Sequence, residues 1–262
     1  MNTTQHERGE RFVALHAGEP FVIPNPWDAG SARMLEALGF AALATTSSGF
    51  AFTLGRRDGD VTLEEVAAHT AAIAAASDLP LSVDLENGYA DDPDAVAAAV
   101  ARVAGAGAVG ASIEDFRPGA GIYPREQAAE RLAGAVEAAR GLGFPFVLTA
   151  RAENHIRGNP DLDDTIARLQ AYEQAGADVL YAPGLRTVEE IRAVCGAVSR
   201  PVNVLAVGEL TGDDIAAAGA RRISLGGRLT WAAAEAATAA ATAIRDRGDF
   251  SLLTAGPPGW LR

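Results

Sequence analysis

No lysine occurs in this chain of 262 residues; all 22 basic side chains are arginine. That absence excludes a Schiff-base lysine, whether of a metal-free aldolase or of a pyridoxal phosphate enzyme. It also removes the lysine that a Walker-type phosphate loop needs. Cysteine occurs once, as Cys195, so neither an intrachain disulfide nor a cysteine-rich metal site can form. Its setting, IRAVCGAV, is an apolar helical stretch that reads as a buried core thiol rather than a nucleophile. Positive charge is scarce: a net charge of −12 gives no electrostatic footprint for nucleic acid or an anionic membrane. An anionic substrate is not excluded, because one buried arginine outweighs a distant negative surface. The opening MNTTQHERGERF lacks the apolar core of a signal peptide. The alanine-rich stretch after Trp231 contains Glu235 and several threonines, and Arg245 soon follows, which suits a helix in water rather than a membrane span. A cytoplasmic protein is the expectation.

What is present is a repeating pattern. Short β-branched or apolar runs at 21–28, 41–48, 81–86, 110–115, 146–151, 179–184, 202–207 and 221–227 alternate with longer segments of helical period. Such alternation implies parallel strands joined by crossover helices. Thr62 and Glu65 have the spacing of a capping box. The phrases EALGF, AGAGAVG, EQAGADV and AAGARRI each read as a helix ending on glycine before the next strand. Eight strand–helix units predict an α/β fold, a (β/α)8 TIM-type barrel, as one domain over 1–262 with a short N-terminal helix and an irregular tail. A doubly wound open sheet would want a glycine fingerprint after the first strand, and NPWDAGS is not one.

In such a barrel the catalytic residues sit at the C-terminal ends of the strands. Polar residues accumulate there: Asp28; Thr46, Ser47 and Ser48; Asp84 and Glu86; Glu114 and Asp115; Arg151, with Glu153 and His155 beyond it. Strand side chains alternate with period two, so Asp84 and Glu86 are expected on one face, as are Ser112 and Glu114. Three acids, Asp84, Glu86 and Glu114, then converge from adjacent strands and cannot all stay ionised without compensation. A hard divalent cation supplies it, and an acid-rich, all-oxygen site suits Mg²⁺ or Mn²⁺. With four histidines in all and only His155 nearby, zinc is not expected. The plainer reading is that each acid caps a helix or pairs with an arginine.

Arg151 ends the apolar run FVLTA, a setting for two-point capture of a carboxylate or phosphate, or for an ion pair with Glu114 or Glu153. Gly226 and Gly227 have the place of a phosphate cradle and equally of an ordinary turn. The segment GFAFTLGRRDGDV (49–61) reads as a long charged loop of the kind that lines a site. Its Asp58 is a candidate acid or base, although composition alone makes it a solvated loop residue.

Four motifs, in this order and spacing, resemble the phosphoenolpyruvate mutase/isocitrate lyase superfamily: NPWDAGSA, TSSGF, LGRRDGD, and the series VDLENGYAD, SIED and LTARAENH. The resemblance runs from IPNPWDAGSARM to RRISLGG. It implies that Asp84, Glu86 and Glu114 hold Mg²⁺, mostly through waters, with Asp84 also beside the substrate. It implies that Arg151 holds the substrate carboxylate. Ser48 and Gly49, followed by Phe50, would contact a keto acid through side-chain and backbone donors, and Asp58 matches a catalytic aspartate. Two departures stand out. The lyases carry a Lys-Lys/Arg-Cys-Gly-His gating motif after strand 4, and the mutases a longer, Asn-containing loop; here SIEDFRPGAGIYPREQ is short and has neither Cys nor His. Glu86 stands where many members have Asp.

The resemblance thus implies a Mg²⁺- or Mn²⁺-dependent lyase or mutase. It would break or rearrange a C–C or C–P bond next to a small α-keto acid, with the enolate charge stabilised by the cation. The alternative is a keto-acid-binding barrel that has lost its gating loop and does not catalyse. The resemblance also implies a homo-oligomer, a tetramer or dimer, in which Leu252, Leu253 and Trp260 of the tail meet a partner subunit.

Overall fold

The computed structural model describes residues 3–254 together with 256 and 259. Its parallel strands are β1 (Phe21–Ile23), β2 (Leu43–Ala44), β3 (Leu81–Asp84) and β4 (Gly110–Glu114), then, after a two-stranded antiparallel hairpin of β5 (Phe116–Arg117) and β6 (Gly121–Ile122), β7 (Val147–Arg151), β8 (Val179–Tyr181), β9 (Val202–Leu205) and β10 (Arg222–Ser224). The hydrogen-bonded order β1-β10-β9-β8-β7-β4-β3-β2 wraps the expected (β/α)8 barrel. Among the described residues β1 and β2 share no ladder. The seam is closed instead by the Ala44 N–H on the Pro24 carbonyl (3.1 Å) and by Asn25. The Asn25 amide donates to the Thr45 carbonyl (3.0 Å), and its oxygen accepts from the N–H groups of Leu225 (2.8 Å) and Gly226 (2.9 Å).

The surrounding helices are α1 (Gln5–Ala17), α2 (Ala29–Ala37), α3 (Ser47–Thr53), α4 (Leu63–Ala76), α5 (Pro93–Gly105), α6 (Arg125–Arg140), α7 (Leu162–Gln174), α8 (Val188–Ala197), α9 (Gly212–Ala217) and α10 (Arg228–Arg247). Their boundaries have local causes. Thr62 and Glu65 form the expected capping box of α4. The four helix-ending glycines, Gly39, Gly107, Gly176 and Gly219, adopt φ of 87°, 105°, 101° and 110°, where a side chain would meet the backbone. The short N-terminal helix plugs the barrel floor: Phe12 of α1 is fully buried among Ile23, Ala42, Val109, Val147 and Val179. Gly110 leaves room for that ring, since a Cβ there would stand 2.7 Å from Phe12 Cε1. Among the described residues no helix is long and apolar enough to cross a membrane.

Three expectations are corrected. The strands are shorter than read: Pro24 and Pro26 lack the N–H a ladder needs, so β1 stops at Ile23. The segment 49–61 is not all loop, because Ser47–Thr53 is helical and cuts the second strand to two residues. The β5–β6 hairpin was not anticipated, its ladder being only two residue pairs long. Trp260 lies outside the described residues; Leu252 and Leu253 are exposed.

Candidate active site

The barrel mouth carries a dense ion-pair network. Arg151, the last residue of β7, is partly buried, its side chain 16% exposed, and lies 3.2 Å from Glu114 and 3.6 Å from Asp84, with its Nε donating to Glu153. Its guanidinium also sits 5.4 Å from the centre of the Tyr181 ring. Register explains the convergence: Glu114 of β4 is directly opposite Arg151 on β7, and Asp84 of β3 is opposite Ser112 on β4. Arg157, in the 3-10 turn Asn154–Arg157, adds a second cation, 2.9 Å from Glu153 and 3.9 Å from Glu114, stacked 3.8 Å over Phe116 of the hairpin.

Asp84 and Glu86 do not share a face. The strand ends at Asp84, and Glu86 takes a left-handed φ of 47°, followed by Tyr89 at 59°. Such conformations cost of order 1–3 kcal/mol each and persist only when neighbours impose them. Here Tyr89 donates to Glu86 Oε1 (2.9 Å), and the buried Arg131 guanidinium caps the carbonyls of Asn87 and Ala90. Asp84 therefore lines a central cavity of about 200 Å³, and Glu86 an adjoining one of about 250 Å³. Glu114 borders the second, while Ser47, Asp58 and Arg151 border both.

Acid outnumbers base at this mouth: Asp58, Asp84, Glu86, Glu114 and Glu153 face Arg151 and Arg157. Burial, then the Asp84 and Asp58 charges, push Glu86 up to about 7 despite the Tyr89 hydrogen bond. Burial also holds Glu114 well above the usual carboxylate range, against the pull of Arg151. Burial opposes the charged form of Arg151, but Glu114 and Glu153 outweigh it and raise its pKa further. A cation would relieve this excess. Among the described residues, no three acids, imidazoles or thiols stand close enough to ligate one ion directly. The donor set therefore fits a small hard cation that keeps much of its water shell and takes one or two carboxylates, as Mg²⁺ does.

The other candidates fall into two groups. Ser48 lines the central cavity from the first turn of α3, its Oγ 3.2 Å from Thr46 Oγ1. The N–H of Ser47 donates to Asp84 Oδ2 (3.1 Å), and those of Ser48 and Gly49 follow it in a turn without intrahelical acceptors. Gly49 is required by packing, since a Cβ would stand 2.6 Å from Thr46 Cγ2 and 2.7 Å from Thr230 Oγ1. Phe50 is placed differently: its ring stacks on His69 at 3.9 Å, and its N–H is spent on the Thr46 carbonyl. Asp58 is exposed, in a turn anchored by Arg56 on Glu65. Asp28 caps α2. Gly226 does not cradle phosphate through its N–H, which Asn25 already occupies. Sequence reasoning missed Asn25, Tyr181, Asn203, Arg222 and Ser224, which complete the cavity wall. For the last three a signal existed: inward positions recur every second residue along β9 and β10.

Comparison with known proteins gives four findings. The family model described as phosphoenolpyruvate phosphomutase matches residues 12–245. An oxaloacetate decarboxylase of Bradyrhizobium diazoefficiens is 33% identical over 236 residues, covering 87% of this chain and 81% of that protein. Among solved structures, a candidate lyase/mutase from Burkholderia cenocepacia J2315 aligns with a TM-score of 0.95 at 51% identity, over 97% of this chain and 94% of its own. Oxaloacetate acetylhydrolase in complex with its product oxalate aligns at 0.86 and 26% identity, over 97% and 91%.

Proposed function

Because this chain belongs to the phosphoenolpyruvate phosphomutase family, whose relatives are lyases and mutases of keto acids, we propose that it is a Mg²⁺- or Mn²⁺-dependent lyase that breaks the bond next to a small α-keto acid. Oxaloacetate is the first candidate. The observation that carries this reading is Arg151, a partly buried guanidinium set among Asp84 and Glu114 at the opening of the cavity. Its planar fork suits two-point binding of a carboxylate. The N–H groups of Ser48 and Gly49 and the Ser48 hydroxyl supply donors for an oxygen that gains charge as the bond breaks. Asp58, on the rim shared by both cavities, is the group we assign to proton transfer. When bound near Asp84, Glu86 and Glu114, the cation supplies Lewis-acid stabilisation of the developing negative charge.

A cysteine-dependent lyase reaction does not suit this chain. The hairpin after β4 contains neither Cys nor His, and Cys195 lies on α8 against Gly219, outside both cavity walls. We further place the protein as a cytoplasmic homo-oligomer, with exposed Phe250, Leu252 and Leu253 available to a second copy. The test of the function is product analysis with oxaloacetate and with phosphonopyruvate, in Mg²⁺ and in EDTA, against a protein-free control. Pyruvate formed from oxaloacetate in Mg²⁺ and abolished by EDTA is the expected result. Release of phosphate from phosphonopyruvate alone would move the assignment to the C–P bond. Binding of both without turnover would make the protein a keto-acid-binding barrel.

A further inference from the structure

Beneath the mouth, the barrel holds a second buried arginine in a contrasting setting. Arg222, the first residue of β10, is 4% exposed. Its Nε donates to Asn203 Oδ1 (2.9 Å), its Nη2 to Thr149 Oγ1 (2.9 Å) and its Nη1 to His16 Nε2 (3.3 Å). All three partners are neutral. His16 is neutral because its Nδ1 faces the Phe12 carbonyl (2.7 Å) and must carry the proton there, leaving Nε2 as an acceptor. Burial and the neighbouring guanidinium pull its pKa down to about 3. Among the described residues Arg222 has no carboxylate within ion-pairing distance, whereas Arg151 and Arg168 each have at least two. A guanidinium carries five N–H donors, so three bonds leave two unspent.

The space above this group is open. TIM barrels usually fill the interior with bulky branched side chains. Here the 200 Å³ cavity reaches from Asp84 to Asn203 and Arg222, and beside Ile23, Leu205 and Tyr181 its lining includes the small side chains of Ala44, Ser82, Ser112 and Ser224. The walls offer hydroxyl and amide donors and no acid below Asp84. We propose that this lumen is a subsite for a second carboxylate of the substrate, held by Arg222 and Asn203, so that the protein selects a dianionic keto acid of about four carbons over a monocarboxylate. The proposal rests on the keto-acid reading of the mouth and names its substrate class.

The length scale agrees. Thr149, which holds Arg222, and Arg151 are successive inward residues of β7, so the two layers are about 6.6 Å apart along the strand. Three C–C bonds of about 1.5 Å put the carboxyl carbons of an extended four-carbon diacid about 4 Å apart. Hydrogen bonds of about 3 Å at each end extend that reach across one layer. A three-carbon monocarboxylate has no second anion to place there.

The test is calorimetric binding of succinate and of butyrate, a diacid and its matched monoacid, to the full chain in Mg²⁺. The expected result is succinate binding at least 10-fold tighter than butyrate. Arg222→Gln should abolish that preference by weakening succinate at least 10-fold more than butyrate. If Arg222→Gln fails to fold by circular dichroism, Ser112→Val decides: it narrows the lumen without touching Arg222 and should remove the succinate preference too. A wild-type protein that binds the two acids equally, or a folded variant of either kind that keeps the preference, overturns the proposal. No turnover is needed, so a protein that prefers succinate yet converts no keto acid would refute the proposed reaction and leave this subsite standing.

Discussion

Replacing Arg151 by lysine tests the site most directly, because it keeps the charge and removes the shape. The native guanidinium meets Glu114 at 3.2 Å, Asp84 at 3.6 Å and Glu153 through Nε, and rests near the Tyr181 ring. An ammonium is a compact point charge that satisfies part of this set and cannot give a carboxylate two parallel hydrogen bonds. Truncating one partner of a desolvated charge pair costs roughly 2–5 kcal/mol. Since Arg151→Lys retains the cation, the lower end applies, about 2–3 kcal/mol, or a 30- to 150-fold weaker complex. Arg151→Met is the contrasting control: it leaves Glu114 and the fully buried Glu153 with Arg157 alone as their cation, at a stability cost below the roughly 3–5 kcal/mol of a buried charge left unpaired. The assay is calorimetric titration of oxalate in Mg²⁺, with thermal melts of each variant alongside. A folded Arg151→Lys protein that binds oxalate as tightly as the native chain would show that Arg151 serves only the ion-pair network.

Three further outcomes are expected. Gly227→Ala would put a methyl group 2.6 Å from Ser48 Oγ and 2.8 Å from Trp231 Nε1; turnover should fall by about 10- to 100-fold through misplacement of Ser48, and an unchanged kcat/KM would remove Ser48 from the machinery. Cys195→Ser should leave turnover intact and stability within about 0.5 kcal/mol, because burial holds this half-buried thiol up at about 11; an inactive but folded variant would reinstate cysteine chemistry. His16 links stability to pH. Its folded pKa, about 3, lies below the unfolded value of about 6.5, so the unfolded chain binds the extra proton. Its contribution is therefore present above about pH 6.5 and drains away as pH falls toward 3, by at most about 5 kcal/mol. In urea melts His16→Gln should flatten that part of the acid limb, and an unaltered pH profile would show that His16 is not the group responsible.

Features with a local cause were legible in the sequence. Helix-ending glycines, the Thr62–Glu65 cap and the eight alternating units each follow from a few neighbouring residues, and all formed. The acids Asp84 and Glu114 were legible because a strand end plus period two fixes where a side chain points. The same rule failed two residues later: it presumes a strand at Glu86, and the chain has already turned left-handed there under the grip of Tyr89 and Arg131. Phe50 shows a related limit. The motif TSSGF places it beside Ser48, but the helical twist of α3 turns its ring to His69. Asn25 and Arg222 were illegible for another reason. Asn25 matters because residues 200 positions away come within hydrogen-bonding distance, and Arg222 because no acid among the described residues does. Neither fact is encoded near the residue itself.

The ion pairs at the mouth carry one more consequence. On the proposed function, a substrate carboxylate would have to take Arg151 from Glu114 and Asp84, which already occupy it. In the metal-free protein that exchange trades one charged contact for another and leaves Glu114 with the more distant Arg157 alone, so the net gain is small. A divalent cation held near Asp84, Glu86 and Glu114 gives those acids another partner and frees the guanidinium for the substrate. Cation and keto acid should therefore bind with positive coupling, and linkage requires the effect to be reciprocal. With typical coupling of about 1–3 kcal/mol, oxalate should bind roughly 5- to 150-fold tighter in Mg²⁺ than in EDTA, and oxalate should tighten Mg²⁺ by the same factor. In Glu114→Gln one of the acids that compete for Arg151 is neutral before any metal arrives, so oxalate binding in EDTA should improve while the coupling shrinks. If that variant instead keeps full coupling and gains nothing in EDTA, competition for Arg151 is not what links the two ligands.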